Sequence, residues 1–169
     1  MYVELEKEKN NVEIILKHIQ FEIRDKKWEN AKNLYDALIV QLQESVENSE
    51  MLCYILVEYA NYVIKYYKDH EYPKNLLKSY FDYLPYNHYL FTNYLNLLKN
   101  YEYNKEGYYD ELMSVIIEGL KKAKKVMNND EFEKKVLKMA KHHLRTALSS
   151  IYLIKMSERK LMEIESEKN

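Results

Sequence analysis

The chain has 169 residues, 47% hydrophobic and 31% charged, and its 26 Lys and Arg nearly balance its 27 Asp and Glu for a formal net charge of -1. That length suffices for one domain with a continuous core, and near-neutrality gives no global pull toward nucleic acid or an anionic membrane. Two Gly and two Pro leave no material for sheet turns or phosphate-binding loops, so the chain reads as all-α, with helices joined by short polar turns.

In chain order, apolar residues at Ile15, Ile19 and Ile23, reinforced by Leu16, predict a first helix from about Val12 to Lys26, ended only by the polar run Asp25-Lys26-Lys27. A second helix starts near Trp28 and continues to about Val46, burying Ala31, Leu34, Tyr35, Leu38 and Leu42. The turn between them is so short that the two form an antiparallel hairpin. Ser49 is positioned as the N-cap of a third helix, about Glu50 to Asp69. Its wide apolar arc, including Leu52, Ile55, Leu56, Tyr59, Ala60, Val63 and Ile64, predicts neighbours on two sides.

Pro73 fits the first turn of a helix from about Tyr72 to Leu84, which Pro85 stops. Asn87 caps the next, about Asn87 to Tyr101, with Leu90, Phe91, Tyr94, Leu95 and Leu98 on one face. Glu102 to Gly107 reads as a loop, followed by a helix from about Tyr108 to Met127. Asn128-Asn129-Asp130 caps a last helical stretch from about Glu131, expected to break near Ser149-Ser150 and to fray over Glu163–Asn169. Its apolar stripe is Leu137, Ala140, Leu144, Ala147, Leu148 and Ile151.

A short cassette recurs on the second helix of three successive pairs: Leu34-Tyr35-Asp36-Ala37-Leu38, Tyr80-Phe81-Asp82-Tyr83-Leu84 and Ile116-Ile117-Glu118-Gly119-Leu120. Each has large apolar residues at its first two positions and its fifth, around an acid, so Leu34, Tyr35, Leu38, Tyr80, Phe81, Leu84, Ile116, Ile117 and Leu120 form the expected repeat core. On the preceding helices, Glu58-Tyr59-Ala60-Asn61-Tyr62-Val63 matches Asn93-Tyr94-Leu95-Asn96-Leu97-Leu98. Recurrence at about 35 to 45 residues is the signature of an α-solenoid. The expected architecture is one domain, 1–169, of four antiparallel pairs at about 12–46, 50–84, 87–127 and 131–167.

The cassettes carry a resemblance. Ala31-Lys32-Asn33-Leu34-Tyr35-Asp36-Ala37-Leu38, and less closely Leu77 to Leu84 and Met113 to Leu120, resemble the second helix of the HAT (half-a-TPR) repeat, although the family's Arg is here Lys32, Lys78 and Ser114, and Leu56 and Phe91 stand in for its first-helix Trp. In layout, Phe21 to Leu98 is similar to HAT repeats of splicing factors associated with the U1 small nuclear ribonucleoprotein. The elements that carry this are the Trp28–Leu38 helix opening, the tyrosine-rich Cys53–Tyr67 helix, Pro73 and the block Tyr89 to Leu98. The resemblance implies a non-enzymatic scaffold for pre-mRNA splicing, nuclear in location with the cytoplasm as the alternative. It also implies protein partners and pairing with itself or a related chain.

No fourth cassette occurs in the last pair, which marks its stripe, Leu144, Leu148, Ile151 and Tyr152, as a candidate dimer interface. Two other readings stay open. A TPR-like adapter would take a peptide in a groove lined by Tyr59, Asn61, Tyr94 and Asn96. A direct RNA binder would use the basic stretch from Lys121 to Arg145, with Lys121, Lys122, Lys124 and Lys125 as the phosphate contacts. Lys121-Lys122-Ala123-Lys124 also fits a minimal nuclear-import motif.

An enzyme is not expected, and neither is a cofactor or a metal. Gly107 and Gly119 sit in no nucleotide-binding motif, and adjacent His142 and His143 point about 100° apart on a helix. Cys53 stands alone in an apolar helix, as a buried small residue would. The 18 tyrosines are assigned to packing, with their hydroxyls at the surface or at polar contacts between helices. The acidic N-terminus does not read as a signal peptide, and the longest apolar run, Met51 to Val57, falls far short of the ~20 residues of a membrane span. The chain is therefore expected to be soluble and intracellular.

Overall fold

The computed structural model describes residues 2–168, apart from the side chains of residues 2, 5, 153, 154, 157 and 168. Its elements are α1 (Tyr2–Arg24), α2 (Trp28–Gln43), a 3-10 turn (Val46–Asn48), α3 (Ser49–Tyr67), α4 (Glu71–Tyr83), α5 (His88–Tyr101), α6 (Tyr108–Val126), a short turn α7 (Asn129–Glu131), a π-helical segment (Phe132–Leu137) and α8 (Lys138–Lys168). There is no strand among the described residues, and the chain is all-α. None of these helices is long and apolar enough to cross a membrane. The chain divides into two compact units, Met1–Leu97 and Leu98–Asn169.

In the first unit successive helices are neighbours, α1 against α2, α2 against α3 and α3 against α4. Helix α3 is covered on two sides, and its residues Leu52, Ile55, Leu56, Tyr59, Ala60 and Val63 are all buried. Aromatic rings join the layers. Tyr35 of α2 stacks on Tyr59 of α3 at 5.1 Å between centroids, and Trp28 stacks on Tyr66 at 4.7 Å. Phe81 of α4 stacks on Phe91 of α5 at 5.7 Å.

Several tyrosine hydroxyls find partners between helices, although that of the buried Tyr59 makes no well-formed hydrogen bond. Tyr62 donates to the Trp28 carbonyl at 2.7 Å, and Tyr67 donates to Glu29 at 3.0 Å. The Tyr59 hydroxyl, fully enclosed, has Tyr72 and Asp36 as polar neighbours.

Several boundaries differ from expectation. Helix α1 begins ten residues early, at Tyr2 rather than Val12. Its first two turns are rich in Glu and Lys, good helix formers, and extending an existing helix fixes only one residue per new bond. Gln41 of α2 donates to Glu8 at 2.7 Å, which ties this extension down. At its other end, Lys27 N–H bonds Glu22 carbonyl at 2.9 Å and Lys26 N–H bonds Ile23 carbonyl at 3.0 Å, a Schellman ending with Lys26 at φ 60° where glycine is usual.

Ser49 is the first residue of α3 rather than its cap. The 3-10 turn leads directly into the helix, and Ser49 N–H already bonds the Val46 carbonyl, while Ser45 Oγ accepts from Glu47 N–H at 3.3 Å. Asn87 and Asn128 cap as expected, accepting from Leu90 N–H and Glu131 N–H, each at 2.9 Å. Pro73 lies in the first turn of α4, whose leading N–H groups of Glu71 and Tyr72 are met by the Asp69 carboxylate.

In the second unit α6 packs against the π-helical segment and α8. The buried core of this unit combines small side chains, Val136, Ala140, Ala147 and Ala123 of α6, with Leu112, Val115 and Ile116 of α6. Leu137, Leu144 and Ile151 are half-buried beside it, and Leu148 is 54% exposed. The expected break at Ser149-Ser150 does not occur, because Thr146 and Ser150 turn their hydroxyls back onto the carbonyls of His142 and Thr146 at 3.0 and 3.1 Å. Glu163 to Glu167, expected to fray, continue the helix and are exposed, whereas Asn169 lies outside the described residues.

Candidate interaction surface

Burial repeats with a period of 35 residues over a whole helix pair. Along α3 and α5 the six positions from Glu58 and from Asn93 run alike: half-buried, two buried, one exposed, two buried. Tyr59 and Tyr94 are each 0% exposed, and Tyr54 stacks on its counterpart Tyr89 at 6.0 Å. On the next helix Pro73, Leu77 and Phe81 are buried, and so are Tyr108, Leu112 and Ile116. Two helices therefore bury the same faces as the two that follow them.

The cassettes fall into this register unevenly. Tyr35, Leu38, Phe81 and Ile116 are buried; Leu34, Tyr80, Leu84 and Leu120 are half-buried. Ile117 is 44% exposed. Counting 35 residues on from Phe81 gives Ile116, and from Leu84 it gives Gly119, which is buried. In burial, then, the third cassette sits one residue earlier than its side-chain pattern suggests, and Gly119 occupies the place of a large apolar residue.

Two of the four residues expected to line a peptide groove do not face solvent. Tyr59 and Tyr94 are interior, and only Asn61 and Asn96 of that set reach the surface. An open cavity of the first unit lies elsewhere, among the C-terminus of α2, the start of α3 and the last turns of α4, with a volume of about 790 Å3. Tyr80 and Leu84 of the second cassette line it.

In the second unit Lys121, Lys124 and Lys125 share an exposed face of α6, and Lys122 is half-buried. Lys121 lies 3.5 Å from Glu118, so part of its charge is answered locally. Lys124 and Lys125 are in the last helical turn, where the dipole favours cations. On α8, Leu148, Tyr152 and Met156 follow at i, i+4 and i+8, between 51% and 63% exposed. That stripe lies beside the half-buried Leu144 and Ile151.

Two groups with nucleophilic or basic capacity are held inert. Burial, helped by the Glu50 carboxylate, pushes the Cys53 thiol up to about 11, so it stays protonated at neutral pH. His143 is held below the ordinary histidine range by burial and then by Lys99, whose ammonium donates to Nδ1 at 3.4 Å. The neighbouring His142 ring stands 66° to that of His143, with centroids 5.7 Å apart. Burial and then Glu58 likewise push the Tyr35 phenol up to about 12.

Compared with known proteins, the chain matches no family model, no curated protein and no solved structure.

Proposed function

We propose that this chain is a helical-repeat scaffold of the HAT type, a solenoid of stacked helix pairs that acts by holding protein partners and not by catalysis. The observation that carries the reading is the 35-residue recurrence of burial across α3–α4 and α5–α6. A repeat spelled in burial as well as in residues is what stacking of equivalent units requires, because each unit covers its apolar face only against its neighbour. The period lies within the range of TPR-like units.

The cellular setting proposed is pre-mRNA splicing in the nucleus. It rests on the resemblance of the Tyr89-Leu90-Phe91-Thr92-Asn93-Tyr94 block and its surroundings to the C-terminal repeats of pre-mRNA-processing factor 39, a partner of the U1 small nuclear ribonucleoprotein. Pairing with a second copy or a related chain is proposed through α8, where the exposed Leu148, Tyr152 and Met156 adjoin Leu144 and Ile151. Affinity purification of the tagged chain, with identification of bound proteins and RNAs, tests the setting; recovery of U1 components is expected, and their consistent absence counts against splicing. Sedimentation tests the pairing: a dimer is expected, dissociated by Leu144→Glu with Ile151→Glu, and a chain monomeric throughout the micromolar range overturns it.

A second reading, direct RNA contact, is favoured by one observation, the shared exposed face of Lys121, Lys124 and Lys125. It requires an affinity that falls with added salt. Affinity unchanged by replacing the three lysines with glutamine removes it.

A further inference from the structure

The 790 Å3 cavity of the first unit has an apolar floor and an uncharged lining. Leu42 and Leu52 form its buried base, and Leu76, Tyr80 and Leu84 its half-buried wall. At the rim stand Val46 and Tyr83, each 83% exposed. Ser45, Ser49, Ser79 and Gln43 intersperse hydroxyl and amide groups among them. An apolar trough with scattered polar groups matches the centre of a protein interface, where apolar anchors are desolvated and a few hydrogen bonds set orientation.

The surrounding charge states what kind of anchor fits. Glu44, Glu47 and Glu50 follow or precede lining residues on the α2–α3 side and are all exposed, and Asp82 adjoins Tyr83 on the α4 side. Glu44, Glu47 and Glu50 enter no ion pair among the described residues. The nearest basic neighbour in sequence is Lys78, next to Ser79. Exposed glutamates thus flank, in sequence, the α2–α3 side of a neutral apolar centre. An occupant with acidic flanks meets like charge on the α2–α3 side, whereas one with basic flanks is drawn in and fixed in register.

We propose that this trough docks a peptide segment of a partner protein that carries large apolar anchors flanked by Lys or Arg. The anchors insert between Val46 and Tyr83 onto Leu42 and Leu52, and the basic flanks lie over Glu44, Glu47 and Glu50. This rests on the scaffold reading and adds to it the chemistry of one partner and the place where it binds.

Fluorescence anisotropy of the full chain with two labelled amphipathic peptides tests it. The two share one apolar face and differ only in having lysine or glutamate at the flanking positions. The lysine peptide is expected to bind at least about tenfold more tightly. Its affinity is expected to fall about tenfold in Val46→Ala with Tyr83→Ala, and by a similar factor in Glu44→Lys with Glu47→Lys. All four positions are exposed, so unchanged far-ultraviolet circular dichroism is expected to accompany each loss.

Equal affinity for both peptides, or binding of neither, overturns the proposal. So does lysine-peptide binding that ignores the Val46 and Tyr83 changes, which is mere charge attraction, and so does self-association abolished by those changes, which makes a second copy the occupant. Sedimentation and the recovery of U1 components are read without the peptides, and the anisotropy is read without U1 components, so the docking proposal and the scaffold reading fail separately.

Discussion

The two compact units of this chain solve the same packing problem with different side chains. In Met1–Leu97 large rings fill the space between helices, and Tyr35, Tyr59, Tyr62, Tyr66, Trp28, Phe81 and Phe91 form chains of stacked or tilted contacts. In the second unit the buried residues after α6 are small, Val136, Ala140 and Ala147, and Leu148, Tyr152 and Met156 of α8 are exposed. Rings contribute area and orientation at little entropic cost, so the first unit is expected to be rigid and self-sufficient. Small buried side chains let helices approach closely but bury little per residue, and α8 keeps exposed apolar surface.

The largest effect that sharpens this contrast is loss of a ring. Phe91 is fully buried, with Phe81 and Tyr86 each 5.7 Å away between centroids. Phe91→Ala is expected to cost about 3–5 kcal/mol, with the spread set by how far the site collapses. Urea unfolding followed by the fluorescence of Trp28, which lies in the first unit and stacks on Tyr66, measures it. A cost below about 1 kcal/mol breaks the picture of a ring-built core.

In the second unit the corresponding weak point is backbone, not packing. Gly107 precedes α6 at φ 78°, and a Cβ there meets nothing within 4 Å. Gly107→Ala is therefore expected to cost about 1–2 kcal/mol through left-handed strain alone, whereas Gly107→Asn costs less. Hydrogen exchange of α6 and α8 amides reads the effect, and equal costs for the two variants point to something other than φ.

Hydroxyl partnership comes next in size. Tyr62→Phe keeps the ring and removes the bond to the Trp28 carbonyl, so about 0.5–1.5 kcal/mol is expected to be lost. The same urea titration detects it, and an unchanged midpoint shows that the hydroxyl contributes nothing net.

His143 adds a pH dependence confined to the second unit. Its folded pKa is lowered by burial, Lys99 and His142, so the folded state binds fewer protons than the unfolded one. Its contribution is present above the unfolded histidine value of about 6.5 and is lost as pH falls below it. Exchange of α8 amides is expected to accelerate below that pH in the native chain and to lose the added dependence in His143→Gln.

Much of the fold was legible in the residues. Periodicity placed α2 to α6 to within a few residues, and the caps at Asn87 and Asn128 follow from side chains that accept N–H bonds locally. What escaped reading lacked a local signal. The N-terminal turns of α1 have no apolar stripe, and only the distant Gln41 reveals why they are held. The π-helical segment is a backbone adjustment that no residue type announces. The third cassette was read from side-chain size, which hid its register, because a buried glycine carries no apolar signal. The trough carries no local signal because its wall combines the ends of three helices, and the spacing of Tyr80 and Leu84 points to the core.

The finest test of the contrast concerns how each unit turns its chain with almost no glycine to spend. The second unit places Gly107 at a left-handed position, but the first places lysines at two, Lys26 at φ 60° and Lys68 at φ 55°. For a residue with a Cβ that conformation costs about 1–2 kcal/mol, while glycine there adds roughly 0.5–1 kcal/mol of backbone entropy to the cost of folding. Lys26→Gly and Lys68→Gly are therefore expected to stabilise the first unit by about 0.5 kcal/mol each, read as a raised urea midpoint in Trp28 fluorescence. The size of the gain follows from the difference of two opposed terms and is the smallest effect expected here. Destabilisation by either change means that the lysine stem packs on its helix end strongly enough to outweigh the strain, and the first unit then draws on its turns as well as its rings.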